Sequence, residues 1–302
     1  MHRRQVVDYL LLAVIWGVSF LLVLKVVQAF GWAGGVSFRA LVAAGLLLLL
    51  ARLTRRELRF GSWRPLAVVG ATTVAGNLIG LNVATPRIGT AMAAIFIATI
   101  PLFSMLIGLV WRIEHIDRLG RIGVALGFVG VVLLVGFPAV PVTAQFVVGC
   151  VASVLGAISA AFGSNYARKH LQQVGSWEQT IGAFLVGGLL VLPLLVVVPV
   201  PRTPVLSDLG YLVLLAAFCS ALAYVLYFRL VAEVGATIAV SVEFLVTVIA
   251  VVIGAVVLGE RLSLVQVLGG VVIIVGCSMV LGVLPVRRSR ETPPLTGEEA
   301  AL

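Results

Sequence analysis

Charge is what this chain has least of. Asp, Glu, Lys and Arg make up 11% of its 302 residues, while 61% are hydrophobic and the mean hydropathy is +1.19. Soluble globular domains carry roughly 25% charged residues, so a water-soluble globular protein is excluded. Histidine and cysteine number three each. Cys150, Cys219 and Cys277 lie inside apolar runs without the paired spacing of a metal site or disulfide framework, and read as small packed hydrophobes. His2, His115 and His170 fall in loops or tails with no second catalytic group beside them, which leaves a membrane-embedded enzyme without its machinery. No Walker-type loop is present, so a nucleotide-driven pump is not expected and no cofactor is implied. The net charge of +9 would suit a nucleic acid, but the basic residues come in short stretches between apolar runs. Nucleic acid is therefore not expected as a partner.

What remains is a chain built for a bilayer. A spanning helix needs about 20 apolar residues, and hydropathy places ten: near 9–28, 34–51, 65–83, 89–111, 119–137, 145–167, 178–198, 208–229, 236–258 and 264–284. Between them lie the expected breaks, among them Arg52 to Arg64, Thr85-Pro86-Arg87 and Pro199 to Pro204. The expected fold is an all-α integral membrane protein of ten transmembrane helices. The first run follows Arg3 and Arg4 like a signal peptide, but it is too long for one and more spans follow it, so it reads as a retained helix. Residues 286–302 read as a disordered cytoplasmic tail.

Alternating the helices from an inside N-terminus puts sixteen basic residues in inner segments. Only Arg87, Arg202 and Arg261 then fall in outer ones, and Lys25 and Arg39 lie within helices. By the positive-inside rule both termini are cytoplasmic. Nineteen arginines against two lysines fit a GC-rich bacterial genome and a cytoplasmic membrane.

A shift of 146 residues lays Thr90 to Gly136 over Ala236 to Gly282 without a gap. Gly108 then meets Gly254, Glu114 meets Glu260, Gly123 meets Gly269, and Gly130 meets Gly276. The same shift pairs Trp16-Gly17 with Phe162-Gly163 and Gly89 with Gly235. This points to duplication of a five-helix unit, 1–140 and 141–285. Because five is odd, the second copy enters the membrane from the opposite face, giving two inverted-topology repeats. That arrangement suits alternating access around a site near the midplane.

These residues resemble the EamA-like branch of the drug/metabolite transporter superfamily over nearly the whole chain. The resemblance is carried by AVIWGVSF (13–20), FRALVAAGLLLLL (38–50), Pro101 with Glu114, and LGERLSLVQVLGGVVIIVG (258–276). It implies ten helices and transport of small metabolites without ATP, often export of amino acids or related compounds. One departure stands out: the family's Glu-Pro pair on helix 9 is replaced by Val246-Thr247, and Glu243 lies one turn earlier.

Polar residues at membrane depth are the candidate site. A charge at mid-membrane costs about 2.5–3.5 kcal/mol on insertion scales, so each needs a reason. Lys25, near the end of helix 1, reads as a snorkelling anchor. Arg39 reads as a structural charge that also suits a helix end or a substrate carboxylate. Glu243 has no basic residue within a turn and is the candidate for proton coupling, with hydrogen bonding to another helix or binding of a cation as alternatives. Around it, Trp16 and Ser19 (helix 1), Thr73 and Asn77 (helix 3), Ser159 (helix 6), Ser220, Tyr224 and Tyr227 (helix 8) and Thr247 (helix 9) form polar-aromatic stripes. Such stripes suit a small amphipathic ligand, although singly each residue also suits helix-helix contact. Glu114 and Glu260 read as caps of the helix that follows each.

The expected protein is thus a secondary transporter that exports amino acids or related compounds, proton-coupled or exchange-driven. Its partners are a small-molecule substrate, the lipid bilayer and a candidate proton, and it works as a monomer or homodimer. The competing readings are an exporter of drugs or cationic compounds, a membrane-embedded enzyme, and a non-transporting assembly protein.

Overall fold

The computed structural model describes residues 3–111, 118–136, 141–234 and 239–280, and among them every regular element is helical. The main helical stretches among the described residues are α1 Arg3–Leu53, α2 Trp63–Ile88, α3 Thr90–Val110, α4 Arg118–Gly136, α5 Ala144–His170, α6 Ser176–Val196, α7 Leu206–Val234, α8 Val242–Val257 and α9 Leu264–Val280. Six of them, α1, α2, α3, α5, α6 and α7, are long and apolar enough to cross a membrane. Glu114 and the tail 286–302 lie outside the described residues.

The first two expected spans are joined without a loop. Helical geometry runs from Arg3 to Leu53 except at Gly31, which has φ 71° and ψ 172° and packs against Pro201. Only glycine takes that backbone conformation at little cost. The chain folds back there: Trp16 Nε1 and Arg39 NH2 both donate to the carbonyl of Cys219, each at 3.2 Å. A straight helix would hold Trp16 and Arg39 about 35 Å apart.

Two helices carry a widened π-helical turn, Gly70–Gly76 in α2 and Ala217–Leu222 in α7. A π turn displaces carbonyls from the regular ladder and is common at functional sites. Here the displaced carbonyls take side-chain donors from other helices. Ser159 Oγ on α5 donates to Thr72 O at 2.9 Å, and Cys219 O receives Trp16 and Arg39.

Without water to drive association, membrane helices pack through small residues that let backbones approach. α4 and α9 meet along such a seam. A Cβ on Gly130 would lie 2.7 Å from Gly269 O, and one on Gly276 would lie 2.6 Å from Gly123 O. Gly80 on α2 meets α5 in the same way, 2.6 Å from Ala152 O. Cys150 and Cys219 are buried free thiols.

Candidate substrate cavity

Two small adjoining cavities occupy the middle of the bundle and share Trp16, Asn77, Ile100, Tyr224 and Glu243. The first, about 50 Å³, adds Ser19 and Arg39; the second, about 30 Å³, adds Thr73, Ser164 and Tyr227. One water needs roughly 10–15 Å³ measured this way, so a few waters fit and a metabolite does not.

One wall is aromatic. The Trp16 ring centroid lies 5.4 Å from those of both Tyr224 and Tyr227, and Phe184 stands edge-on to Tyr224 at 4.8 Å. Tyr227 donates its hydroxyl proton to Ser164 Oγ at 3.1 Å. Such edge-to-face rings are rigid and present both a π face and a hydroxyl.

The two charges in the cavity are incompletely matched. Arg39 is 3% exposed; its Nε donates to Ser220 Oγ at 2.5 Å and its NH2 to Cys219 O, but NH1 is buried without a partner. The carboxyl group of Glu243, which lines both cavities, has no hydrogen-bond or ion-pair partner among the described residues, although its backbone carbonyl accepts from Thr247. A guanidinium held on two acceptors with an N–H to spare can bind an anionic group, and an unpaired carboxyl group can bind a cation or exchange a proton.

Of the ten residues expected to contact substrate, seven line the cavities: Trp16, Ser19, Thr73, Asn77, Tyr224, Tyr227 and Glu243. The other three hold helices together. Ser159 binds the α2 π turn, Ser220 bridges Arg39 to Leu215 O, and Thr247 Oγ1 is directed at both Ala94 O and Glu243 O, at 2.9 and 2.7 Å. Lys25 is exposed, as an interfacial anchor would be. Arg39 lines the cavity rather than only supporting it. Sequence reading missed the contribution of α3, Ile97 and Ile100, and that of Ser164 on α5. Isoleucines carry no polar signal; Ser164 does, one turn and a residue beyond Ser159.

Polar contacts join helices toward both ends of the bundle. At the end holding the N-terminus, Asp8 pairs with Arg229, Tyr9 OH and Ser241 Oγ are 3.0 Å apart, and Gln5 Nε2 donates to Glu233 at 3.3 Å. At the other end the Glu260 carboxylate accepts from the Thr90 N–H (2.7 Å), the Thr90 hydroxyl (2.9 Å) and the Ala91 N–H (2.8 Å). Glu260 therefore caps α3, not the α9 that follows it in sequence. The N-terminus of α3, with its free N–H groups and positive dipole end, lies within reach across the bundle, while Gln266 Oε1 accepts from Ser263 N at the start of α9.

The relatives of this chain agree with its architecture. A solved crystal structure superposes with a TM-score of 0.67 over 92% of this chain and 96% of that one, at 17% identity. The "Uncharacterized inner membrane transporter YedA" of Escherichia coli (strain K12) is 28% identical over 282 residues, 90% of this chain and 89% of that protein. "Protein PecM" of Dickeya dadantii (strain 3937) is 25% identical over 291 residues, 95% and 96% of the two chains. The model of the EamA-like transporter family matches twice, at residues 6–136 and 147–282. With both matches spanning nearly all of the helical chain, this protein belongs to the EamA-like transporter family.

Proposed function

We propose that this protein is a secondary transporter that moves small metabolites across the cytoplasmic membrane by alternating access, and that it exports amino acids or related compounds. The observation carrying this reading is the central cavity. It lies between first-half residues (Trp16, Arg39, Asn77) and second-half residues (Tyr224, Glu243), has polar contacts joining helices toward both ends of the bundle, and has room only for water. Such an arrangement fits an occluded, empty state that must part at one end to load.

Ten crossings in two inverted halves, with both termini in the cytoplasm, complete the reading. Several features favour it. The contact of Gly130 with Gly269 becomes that of Gly276 with Gly123 when each partner is shifted by 146 and their roles exchanged, as a pseudo-two-fold axis requires. Shifted by 146, residues 71–76 of the α2 π turn fall on 217–222, the π turn of α7. The repeated family match is consistent with the same duplication.

An amino-acid substrate would satisfy both charges, its carboxylate on Arg39 NH1 and its ammonium on Glu243, with the side chain against Trp16 and Tyr224. Protonation of Glu243 would then release the ammonium and couple export to the proton gradient. The unpaired Glu243 among three aromatic rings favours a second reading, an exporter of cationic compounds. Overexpressing cells grown against toxic amino acids, their analogues and cationic dyes separate the two. Resistance to the amino-acid analogues supports the first reading, resistance to dyes alone the second, and resistance to neither overturns both.

A further inference from the structure

A second cavity opens on the outside of the bundle. It is a groove of about 350 Å³ between residues 46–53 of α1 and 217–225 of α7, walled entirely by apolar side chains. Leu49, Leu50 and Leu53 form an outward-facing wall, 46–73% exposed, and Ala217 and Ala221 of the α7 π turn form a floor that larger residues would fill. Its chemistry changes abruptly at one end. Trp177 lines the groove there, and the Arg56 guanidinium sits 4.8 Å from the centre of its ring. The segment from Arg52 to Arg64 brings five arginines and one acidic residue, Glu57, which is held by Arg59 at 3.1 Å. Glu178, beside Trp177, is buried and accepts from the backbone N–H of Arg59. Arg52, Arg55 and Arg56 are exposed, and their charge is not met by an acidic side chain among the described residues.

We propose that this groove is a binding site for an anionic phospholipid, with one acyl chain in the leucine-walled channel and the phosphate on Arg56 and its neighbouring arginines. Charge complementarity commits the site to an anionic head: a cluster of cations at the mouth of a lipid-facing groove attracts anionic lipids, at about 1 kcal/mol per basic residue near the surface. The Trp177 ring sets the depth of the head, since tryptophan settles at the level of the headgroups, and it keeps the Arg56 guanidinium at the mouth by a cation–π contact. The lipid would come from the cytoplasmic leaflet, a clause that rests on the orientation proposed above. Binding itself does not depend on that orientation or on transport.

The test uses the purified full chain, delipidated in detergent, with phosphatidylglycerol or phosphatidylcholine of equal acyl composition added back and retained lipid counted by native mass spectrometry. Phosphatidylglycerol is expected to be retained over phosphatidylcholine. Arg56→Gln should weaken phosphatidylglycerol about fivefold, the loss of one headgroup contact, and Leu50→Trp, which fills the channel, should weaken both lipids. Arg64→Gln, which lies in α2 rather than beside Arg52, Arg55 and Arg56, should leave retention unchanged. In the unaltered chain, 0.5 M salt should erase the preference by screening the arginines, a readout that holds if a variant fails to fold. Equal retention of the two lipids overturns the proposal, as does an equal loss from Arg64→Gln and Arg56→Gln.

Discussion

The seam between α4 and α9 and the cavity at the centre each bring residues from the first and second halves of the chain together, and they are made of opposite materials. In the seam, glycine Cα atoms lie against carbonyl oxygens so closely that no side chain can enter. In the cavity, large rings and polar groups surround a space with room for water, and Arg39 NH1 and Thr73 Oγ1 have no partner among the described residues. Backbone contact of the first kind has one good geometry and resists sliding. Side-chain contact of the second kind can be remade around a ligand at modest cost. The seam is therefore suited to a fixed frame and the cavity to a part that changes around a ligand.

The largest effect should come from forcing a side chain into the seam. Gly130→Val places a methyl-bearing carbon against Gly269 O and Ile273 N, and a loss of about 4 kcal/mol or more is expected, read as the disappearance of monodisperse protein in size-exclusion chromatography. Gly45→Ala, where nothing lies within 4 Å, should instead change the thermal midpoint by no more than the intrinsic helix preference, about 1 kcal/mol in favour of alanine. Equal behaviour of the two variants would show that the close approach in the seam does not fix its packing.

Changes in the cavity should spare the fold and alter transport. Glu243→Gln is expected to abolish accumulation driven by a proton gradient while substrate exchange continues; an unchanged pH dependence of transport in that variant would contradict proton coupling through this residue. Arg39→Gln removes a charge-assisted contact of about 1.5–3 kcal/mol, so the concentration for half-maximal exchange should rise at least tenfold. A smaller change, with a lowered thermal midpoint, would return Arg39 to a purely structural role.

The ends of the bundle give the smallest effect. Glu260→Ala removes three hydrogen bonds that cap α3 and is expected to cost about 1–2 kcal/mol, seen as a lowered midpoint of thermal denaturation. If export rises at the same time, the cap is also part of the closure.

Much of the helical layout was legible because a bilayer asks for long apolar runs, and the glycines that the 146-residue shift singles out lie in the seam, where Gly130 meets Gly269 and Gly276 meets Gly123. Other features left no mark in the pattern. The π turns at Gly70–Gly76 and Ala217–Leu222 lie in apolar sequence whose hydropathy is the same for either helix type. The fold-back at Gly31 rests on one residue among several glycines. Glu260 was read as a local cap because sequence shows only its neighbours, whereas its partners are 169 and 170 positions away. Ser159, Ser220 and Thr247 carried the same polar signal as true lining residues, since a hydroxyl that bridges helices and one that faces a ligand look alike until the helices are packed.

The central claim is that this cavity carries substrate between the two sides, and counterflow tests it most directly. Proteoliposomes holding the purified chain are loaded with an unlabelled amino acid and diluted into a trace of labelled substrate, in parallel with the Arg39→Gln variant. A transient accumulation of label above equilibrium, sharply reduced in the variant, is the predicted result. Label that enters no faster than in protein-free vesicles, across the amino acids tried, would contradict the account.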